Sequence, residues 1–503
     1  MKLFLTGQIR DLDRATLEEE HIASVELMDR AADAITTGLI KHLTPTLRCL
    51  ILAGPGNNGG DALAVALRLI QKRQPVTVLL CTFGKTMSAD ARIQLDRLRA
   101  LASSSIKTWT SEVPENQSFD LLVDGLFGSG LNRPLSDEYV EVIQWINAQQ
   151  KPIYSIDVPS GMFGENNASN NADCVVRKSH CICLEMPRIA CLLPENEVYV
   201  QSWEKVPIGL SKQAQHTTES PYHLTEREDI QTLLKDRTTF AHKGQMGRIL
   251  MIAGSEGMAG AAILSARGAL RSGCGLLTVA TDPVCLPSIQ SAVAEAMCKT
   301  FQAESFVNDE MIHSFTAVGI GPGLGCTPTK KKAFAQFLKK KPQRLLLDAD
   351  ALNMLAEDSE LLLLLPHGSI LTPHPGEFDR LSQSKPTSGY ERLQTARSFA
   401  TKHQVYVVLK GAYTACILPD GNVHFNSTGN PGMATGGSGD VLSGIIVSLL
   451  GQGYSQTEAC QLGCFLHGLA ADLALETQSV ESLLAGDIPS MLGRAFQYIR
   501  SNH

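Results

Sequence analysis

Arg48-Cys49-Leu50-Ile51-Leu52-Ala53-Gly54-Pro55-Gly56-Asn57-Asn58-Gly59-Gly60-Asp61 joins a short apolar run directly to a loop dense in glycine. The run has the length of a buried strand, and residues from about 61 to 72 carry apolar side chains at helical spacing. Strand, glycine loop and helix in succession form one βα unit. Outward from it the alternation continues, with further strands expected at 76–81, 120–124 and 152–157. Strands separated by helix-length segments connect in parallel, so this half is an α/β protein with a Rossmann-like doubly wound sheet. Before it, residues 12–40 read as an amphipathic helical region.

A second α/β series follows a polar, aperiodic stretch, Ser211-Lys212-Gln213-Ala214-Gln215-His216-Thr217-Thr218-Glu219-Ser220-Pro221, where the domain boundary is placed. Strands are expected at 248–253, 276–280, 317–320, 344–347 and 405–409, with a helix at 260–271. Pro419-Asp420-Gly421-Asn422 reads as a hairpin turn, and helices are expected at 440–450 and 457–475. The expected domains are 1–215 and 222–503, and no repeat of fixed period joins them.

Bulk properties narrow the function. With 44 basic and 51 acidic residues the net charge is −7, which disfavours a nucleic-acid partner. The longest leucine run, Leu361 to Leu365, stops at Pro366, so no membrane partner is expected. The apolar start, Leu3 to Leu5, is too short for a signal-peptide core, and cytoplasm is the expected location. Thirteen cysteines is an odd number in a chain large enough to need no disulfides. The cluster Cys174, Cys181, Cys183 and Cys191 lacks a C-x-x-C pair and is not expected to hold zinc. A homo-oligomer is the expected assembly.

In the first half, Gly54 to Gly59 satisfies G-x-G-x-x-G. A dehydrogenase places an acid near the end of the next strand to hold a ribose, but here Cys81-Thr82-Phe83 stands there. The glycines instead let backbone amides approach an anion at a helix start, and the Asn57 and Asn58 amides suit a polar ligand or hard cation. Asp124-Gly125-Leu126-Phe127-Gly128-Ser129-Gly130-Leu131 and Asp157-Val158-Pro159-Ser160-Gly161 follow two other strands, so three polar loops converge at the carboxyl edge of the sheet.

In the second half, Asn430-Pro431-Gly432-Met433-Ala434-Thr435-Gly436-Gly437-Ser438-Gly439-Asp440 precedes an apolar helix. Glycines at a helix start make a nest of N–H donors for a transferring phosphoryl group, and Asp440 stands where it can accept a hydroxyl proton. N-capping would explain the aspartate but not the glycines. No Walker P-loop occurs. Gly321-Pro322-Gly323-Leu324-Gly325 follows a strand, Thr372-Pro373-His374-Pro375-Gly376-Glu377 holds an imidazole between prolines, and Lys410-Gly411-Ala412-Tyr413-Thr414 offers a cation for phosphate.

These motifs resemble known families. G-x-G-N-N-G-G-D, D-x-L-F-G-x-G and D-x-P-S-G, in that order over about residues 1–215, are similar to the NAD(P)H-hydrate epimerase domain. The resemblance implies that Asn57, Asn58, Gly59, Gly60, Asp61, Gly128, Ser129, Gly130, Leu131, Asn132, Arg133, Pro134 and Asp157 hold the hydrated nucleotide. It also implies a potassium ion on Asn58, Asp124 and Ser160, with Asp157 as the acid/base group. Ala62 departs from the family's usual glycine and is expected to be tolerated. H-P-G-E, K-G-A-x-T and N-P-G-M-A-T-G-G-x-G-D, over about 225–500, resemble the ADP- or ATP-dependent NAD(P)H-hydrate dehydratase, a ribokinase-like α/β domain. On that likeness Lys410, Gly411, Ala412, Tyr413, Thr414 and Gly439 contact the adenine nucleotide, while Gly323, His374 and Asp440 contact the hydrate. Ser438 stands where threonine is common and keeps a hydroxyl. ADP, the usual donor in the fused bacterial enzymes, is the expected co-substrate, or ATP, with magnesium.

The chemistry implied is removal of a poor leaving group. Phosphorylating the ring hydroxyl turns it into phosphate, whose departure restores the dihydronicotinamide. Asp440 is expected to activate the hydroxyl while the Gly436–Gly439 amides steady the phosphoryl charge. A small-molecule kinase of the same fold is the alternative, and it leaves the first-half motifs unexplained. A nucleotide-binding sensor with degenerate sites is a third reading, opposed by intact acids at Asp157 and Asp440.

Overall fold

The computed structural model describes residues 1–110, 118–301, 305–307 and 312–501. The chain divides into two compact units, one of Lys2–Ser220 with Ser388–Tyr390, the other of Met1, Pro221–Thr387 and Glu391–His503.

The first unit's sheet has seven described strands: β1 (Cys49–Ala53), β2 (Val76–Leu80), β3 (Ile106–Thr108), β4 (Leu121–Gly125), β5 (Ile153–Ile156), β6 (Ser179–Leu184) and β7 (Val200–Val206). They pair in the order β3-β2-β1-β4-β5-β6-β7, all parallel. Order reverses between β1 and β4, the switch point at which such sheets bind ligands. Successive residues of β1 face opposite ways. Cys49, Ile51 and Ala53 join a core with Ala32, Ile35, Leu39, Leu63 and Leu95, while Leu50 and Leu52 join one with Val142, Ile143 and Ile146. Helices α2 (Ser24–Ile40), α3 (Asn57–Gln71) and α4 (Ala89–Ala102) therefore cover one face, and α5 (Glu138–Ala148) the other.

The amphipathic region expected over 12–40 is two helices, α1 (Thr6–Glu20) and α2, broken where His21 takes φ 53°. Helix α3 begins four residues before the expected position, because extended Gly56 ends the loop and Asn57 already has helical backbone. The Asn-Asn-Gly-Gly stretch is thus the first helical turn, whose leading amides have no acceptor within the helix.

The second unit contains β8 (Tyr222–Thr225), β9 (Arg248–Ile252), β10 (Leu276–Thr281), β11 (Met297–Thr300), β12 (Ala317–Ile320), β13 (Leu345–Leu347), β14 (Ile370–Leu371), β15 (Tyr406–Leu409), β16 (Ala415–Ile417) and β17 (Val423–Asn426). Within it the sheet runs β8-β17-β16-β15-β14-β13-β12-β9-β10-β11. From β11 to β15 every pairing is parallel, and β15, β16 and β17 form the antiparallel meander that contains the expected hairpin turn. Helices at Ala259–Arg271, Ser438–Gly451, Gln456–Ala474 and Asp487–Arg500 share a core with Ile249, Met251 and Ala253.

Two glycines set the distance between the first two of these helices. A methyl on Gly444 would lie 2.0 Å from the Ser265 carbonyl oxygen, and one on Gly268 would lie 2.5 Å from that of Val441. Their absence lets the backbones touch and fixes the start of the Ser438–Gly451 helix against its neighbour. Among the described residues no helix is long and apolar enough to cross a membrane.

Candidate active sites

In the first unit the acids at the strand ends gather with partners that have no motif around them. Asp157 follows β5 and holds φ 71°, a left-handed conformation that is costly for a residue with a Cβ. Its Oδ2 accepts from the Ser129 amide at 2.8 Å, and its Oδ1 pairs with Arg188 Nε and Nη2 at 2.9 and 2.8 Å. Arg188 is buried, and its remaining Nη1 is enclosed without a partner. Gly128 leaves room beside this pair, since a methyl there would stand 2.9 Å from Asp157 Oδ2 and 3.2 Å from Asn58 Oδ1.

Two further acids line the same region. Burial, reinforced by the charges of Asp157, Asp13 and Asp90, pushes Asp61 well above the usual carboxylate range. Burial raises Asp13 to about 6, with Arg188 opposing and Asp157 adding to the rise. The site therefore sets an ion-paired carboxylate beside carboxyl groups inclined to keep their protons, an arrangement suited to acid–base work.

Asp124 ends β4 and is fully enclosed. Ser160 donates to it through Oγ at 2.5 Å and through its amide at 2.8 Å, and Ser155 Oγ donates at 2.8 Å. Burial raises its pKa against the pull of these bonds. Asn58, expected to share a cation with Asp124 and Ser160, has its amide nitrogen buried without a partner. Arg10 donates to the carbonyl of Gly130, and Leu131, Asn132 and Arg133 of the same loop are partly or fully exposed.

In the second unit Asp440 lies in the first turn of the Ser438–Gly451 helix, behind Gly437 at φ 94°. A methyl on Gly437 would meet Leu264 Cδ1 at 2.4 Å, so both its conformation and its packing require glycine. Gly436 faces open space, and a methyl on Gly439 would meet only Lys410, with Nζ at 3.2 Å. Neither packing nor a positive φ requires glycine at these two positions.

Lys410 follows β15 and bonds through Nζ to Asp348 Oδ1 at 3.0 Å, with Glu377 Oε2 at 3.8 Å. Burial works against its charge, yet Asp348, Glu377 and Asp440 together raise its pKa. Ser443 Oγ donates to the other Asp348 oxygen at 2.6 Å. Burial, aided by Asp348 and opposed by Lys410, lifts Asp440 to about 7, where a general base works best near neutrality.

His374 is less a free imidazole on a loop than the cap of the Pro375–Ser382 helix. Its Nδ1 accepts from the amides of Gly376 at 3.1 Å and Glu377 at 3.4 Å, so in the neutral ring the proton sits on Nε2, the side left half-exposed. Gly323 takes φ 57° on the loop after β12, packed within 3 Å of where a side chain would meet Met258 and Ala261. Gly411, Ala412, Tyr413 and Thr414 form a partly exposed turn after Lys410, closed by Thr414 Oγ1 on the Gly411 carbonyl at 3.0 Å.

The chain is similar to known proteins. The NAD(P)H-hydrate dehydratase family matches residues 249–494, and the YjeF-related protein N-terminus matches 24–190. The bifunctional NAD(P)H-hydrate repair enzyme Nnr of Moorella thermoacetica is 31% identical over 98% of this chain and 96% of its own. The chain belongs to the bifunctional NAD(P)H-hydrate repair enzyme family. A ribokinase-like superfamily protein from Enterococcus faecalis overlaps 56% of the chain and 99% of its own length at 28% identity, with a TM-score of 0.51. A Bacillus subtilis ADP/ATP-dependent NAD(P)H-hydrate dehydratase, crystallised with ATP and Mg2+, covers 55% of the chain and 98% of its own at 31% identity and a TM-score of 0.48.

Ala62 and Ser438, the two positions expected to depart from the family pattern, each have a local setting. The Ala62 methyl is fully buried against Gly125, where an added methyl would lie only 2.3 Å from it. The extra carbon thus fills space left by a glycine. Ser438 turns its hydroxyl towards His467 Nε2 at 3.3 Å. Of the residues missed in the sequence, Asp348 carried a signal, an acid directly after Leu345-Leu346-Leu347 as at Asp124 and Asp157. Asp13 and Arg188 carried none, because each reaches its partners only through the tertiary fold.

Proposed function

We propose that the chain repairs hydrated nicotinamide cofactor. Its epimerase domain, residues 1–215, interconverts R and S NAD(P)H hydrate, and its dehydratase domain, residues 222–503, converts the S form to NAD(P)H. ADP, or ATP, with magnesium supplies the phosphoryl group. The observation that carries the reading is Asp440, raised to about 7 at the head of a helix whose glycines open towards Lys410.

In the dehydratase site Asp440 takes the proton of the ring hydroxyl as its oxygen attacks the terminal phosphorus of the nucleotide. The Gly436–Gly439 amides and Lys410 meet the charge on the phosphoryl oxygens. Departure of phosphate then breaks the ring C–O bond, and loss of a proton from the adjacent ring carbon forms the C=C bond that restores the conjugated ring. Asp348 positions Lys410, and His374 presents Nε2–H to the hydrate. In the epimerase site Asp157, aimed by Arg188 and the Ser129 amide, is the acid/base group in interconverting the R and S hydrates, and Asp61, raised by burial, is the complementary acid.

Asn58, Asp124 and Ser160 would hold a potassium ion. The fit rests on an enclosed Asp124 with no described ion-pair partner, and on the Asn58 amide, whose buried nitrogen has no partner and exchanges places with its oxygen when the group is turned over. Bound there, the ion would offset the buried carboxylate charge. A homo-oligomer in the cytoplasm completes the proposal.

The test gives the whole chain a mixture of both epimers with ADP or ATP and follows dihydronicotinamide absorbance. Asp440→Asn should recover no NAD(P)H while still interconverting the epimers. Asp157→Ala should convert only the S fraction. Full recovery by Asp440→Asn would overturn the assignment, and a stable phosphorylated product would favour the small-molecule kinase.

A further inference from the structure

Far along the first unit's sheet from the β1/β4 switch point, a second cluster of polar groups shares no residue with the cleft around Asp157. His42 lies just beyond helix α2, His180 is on β6 and Glu204 on β7. In the β6–β7 pairing His180 stands opposite Ser202 and Ile182 opposite Glu204, which puts both side chains on the same face one diagonal step apart. One ligand atom from each of the three residues lies within 4.8 Å of the others. His180 Nε2 is 3.6 Å and His42 Nε2 is 3.8 Å from Glu204 Oε1.

Those separations are too long for hydrogen bonds and too short to be idle. His180 Nε2 and Glu204 Oε1 are both buried without a hydrogen-bond partner. The edge of a tetrahedron around zinc, with metal–nitrogen bonds of about 2.0–2.1 Å, is about 3.3 Å. Small side-chain movements close the observed gaps to that edge. The outer contacts suit it too. His180 Nδ1 lies 2.6 Å from Ser202 Oγ, and donation there leaves the Nε2 lone pair facing inwards. Lys41 binds the other Glu204 oxygen, Oε2, at 3.2 Å, so Oε1 is the one left over. The Tyr154 ring packs 5.1 and 5.2 Å from the two imidazoles and walls the site. Gly38 gives it room, since a methyl there would stand 3.0 Å from Glu204 Oε1. The His42 side chain, 36% exposed, is the open rim through which an ion enters and a water completes the coordination.

We infer that His42, His180 and Glu204 bind one zinc ion, which ties the end of helix α2 to the last two strands of the sheet. Two imidazoles and one carboxylate favour zinc over hard cations such as magnesium, which prefer all-oxygen sites. The inference does not depend on the proposed reactions.

The full-length protein, stripped with a chelator, would be titrated with zinc by calorimetry and with cobalt by visible absorption. One equivalent of zinc per chain is expected, with tetrahedral cobalt bands and no thiolate-to-cobalt charge-transfer band. His42→Asn and Glu204→Gln should each weaken zinc binding at least about tenfold, a loss expected when a metal ligand is removed. Neither should change epimerisation or NAD(P)H recovery, which also shows that each variant is folded. His42, at the rim, is the variant least able to disturb the core. Absence of a zinc equivalent in the wild type, wild-type affinity in His42→Asn, or a thiolate band that persists in both variants would overturn the inference.

Discussion

Replacing Asp440 by Asn separates what this carboxylate does for the reaction from what it costs the fold. The side chain keeps its shape and loses its charge. In the folded protein the group titrates at about 7 rather than 3.8, chiefly because it is buried. A group raised in the native state favours folding most where both states are protonated, below 3.8. That advantage is lost as pH climbs from 3.8 to about 7, because only the unfolded chain can ionise freely. At about 1.4 kcal/mol per pH unit the loss is about 1.6 kcal/mol by pH 5 and about 4 kcal/mol above pH 7. Asp440→Asn should therefore be more stable than the wild type, and increasingly so towards high pH. For a unit of this size each kcal/mol moves the midpoint by about 2 °C, so the gain is on the order of 5–10 °C at pH 8 and less than half of that at pH 5. Scanning calorimetry of the full chain reads it, on the transition that ADP shifts. In the wild type the rate of NAD(P)H recovery should fall about tenfold from its plateau by pH 6, where about a tenth of Asp440 is ionised. A midpoint gain equal at pH 5 and pH 8, together with a flat rate profile, would refute both the raised titration and the role as base.

Gly439→Ala replaces glycine by a better helix former where the only neighbour is the Lys410 ammonium, so stability should hold or rise by up to about 1 kcal/mol. Its KM for ADP should nevertheless increase several-fold, because the methyl occupies the ligand's approach, and steady-state kinetics measure this. Gly125→Ala should destabilise the first unit by about 1–3 kcal/mol through overpacking against Ala62, and Ala62→Gly in the same chain should return most of that loss in a denaturant-melt double-mutant cycle. Lys410→Met should cost about 3–5 kcal/mol, because it strands the buried Asp348 carboxylate without its cation, a loss visible in thermal melts.

The alternation of strand and helix was legible because it follows from side-chain periodicity, which any short window contains. Strands β1, β2, β4 and β5 lie within two residues of the expected positions, as do the helices over 259–271, 438–451 and 456–474. What escaped were strands with mixed patterns. In β6, His180 is polar within an otherwise buried run, and β7 carries exposed Gln201 and Ser202. Such strands are held by the partners beside them rather than by local preference, so a single window carries little sign of them. The early start of α3 was hidden for another reason. Glycine and asparagine disfavour helix interiors, yet at a first turn their short side chains leave amides free for a ligand, and tertiary packing of Gly59 and Gly60 overrides the preference.

The sites show the same division between local and long-range information. Loops with a fixed backbone task, such as the turn at Gly437 or the cradle ahead of Asp440, spell that task in consecutive residues. Charge compensation has no such spelling. Asp157 finds Arg188 across 31 positions, Lys410 finds Asp348 across 62, and Asp348 finds Ser443 across 95. Yet these partners decide how the acids behave. Asp348 both anchors Lys410 and, with burial, lifts Asp440 towards neutrality, so one aspartate outside the glycine motif influences the cation and the base together. The consecutive residues of the motif set the local backbone, and the distant partners fix the charges of the groups beside it.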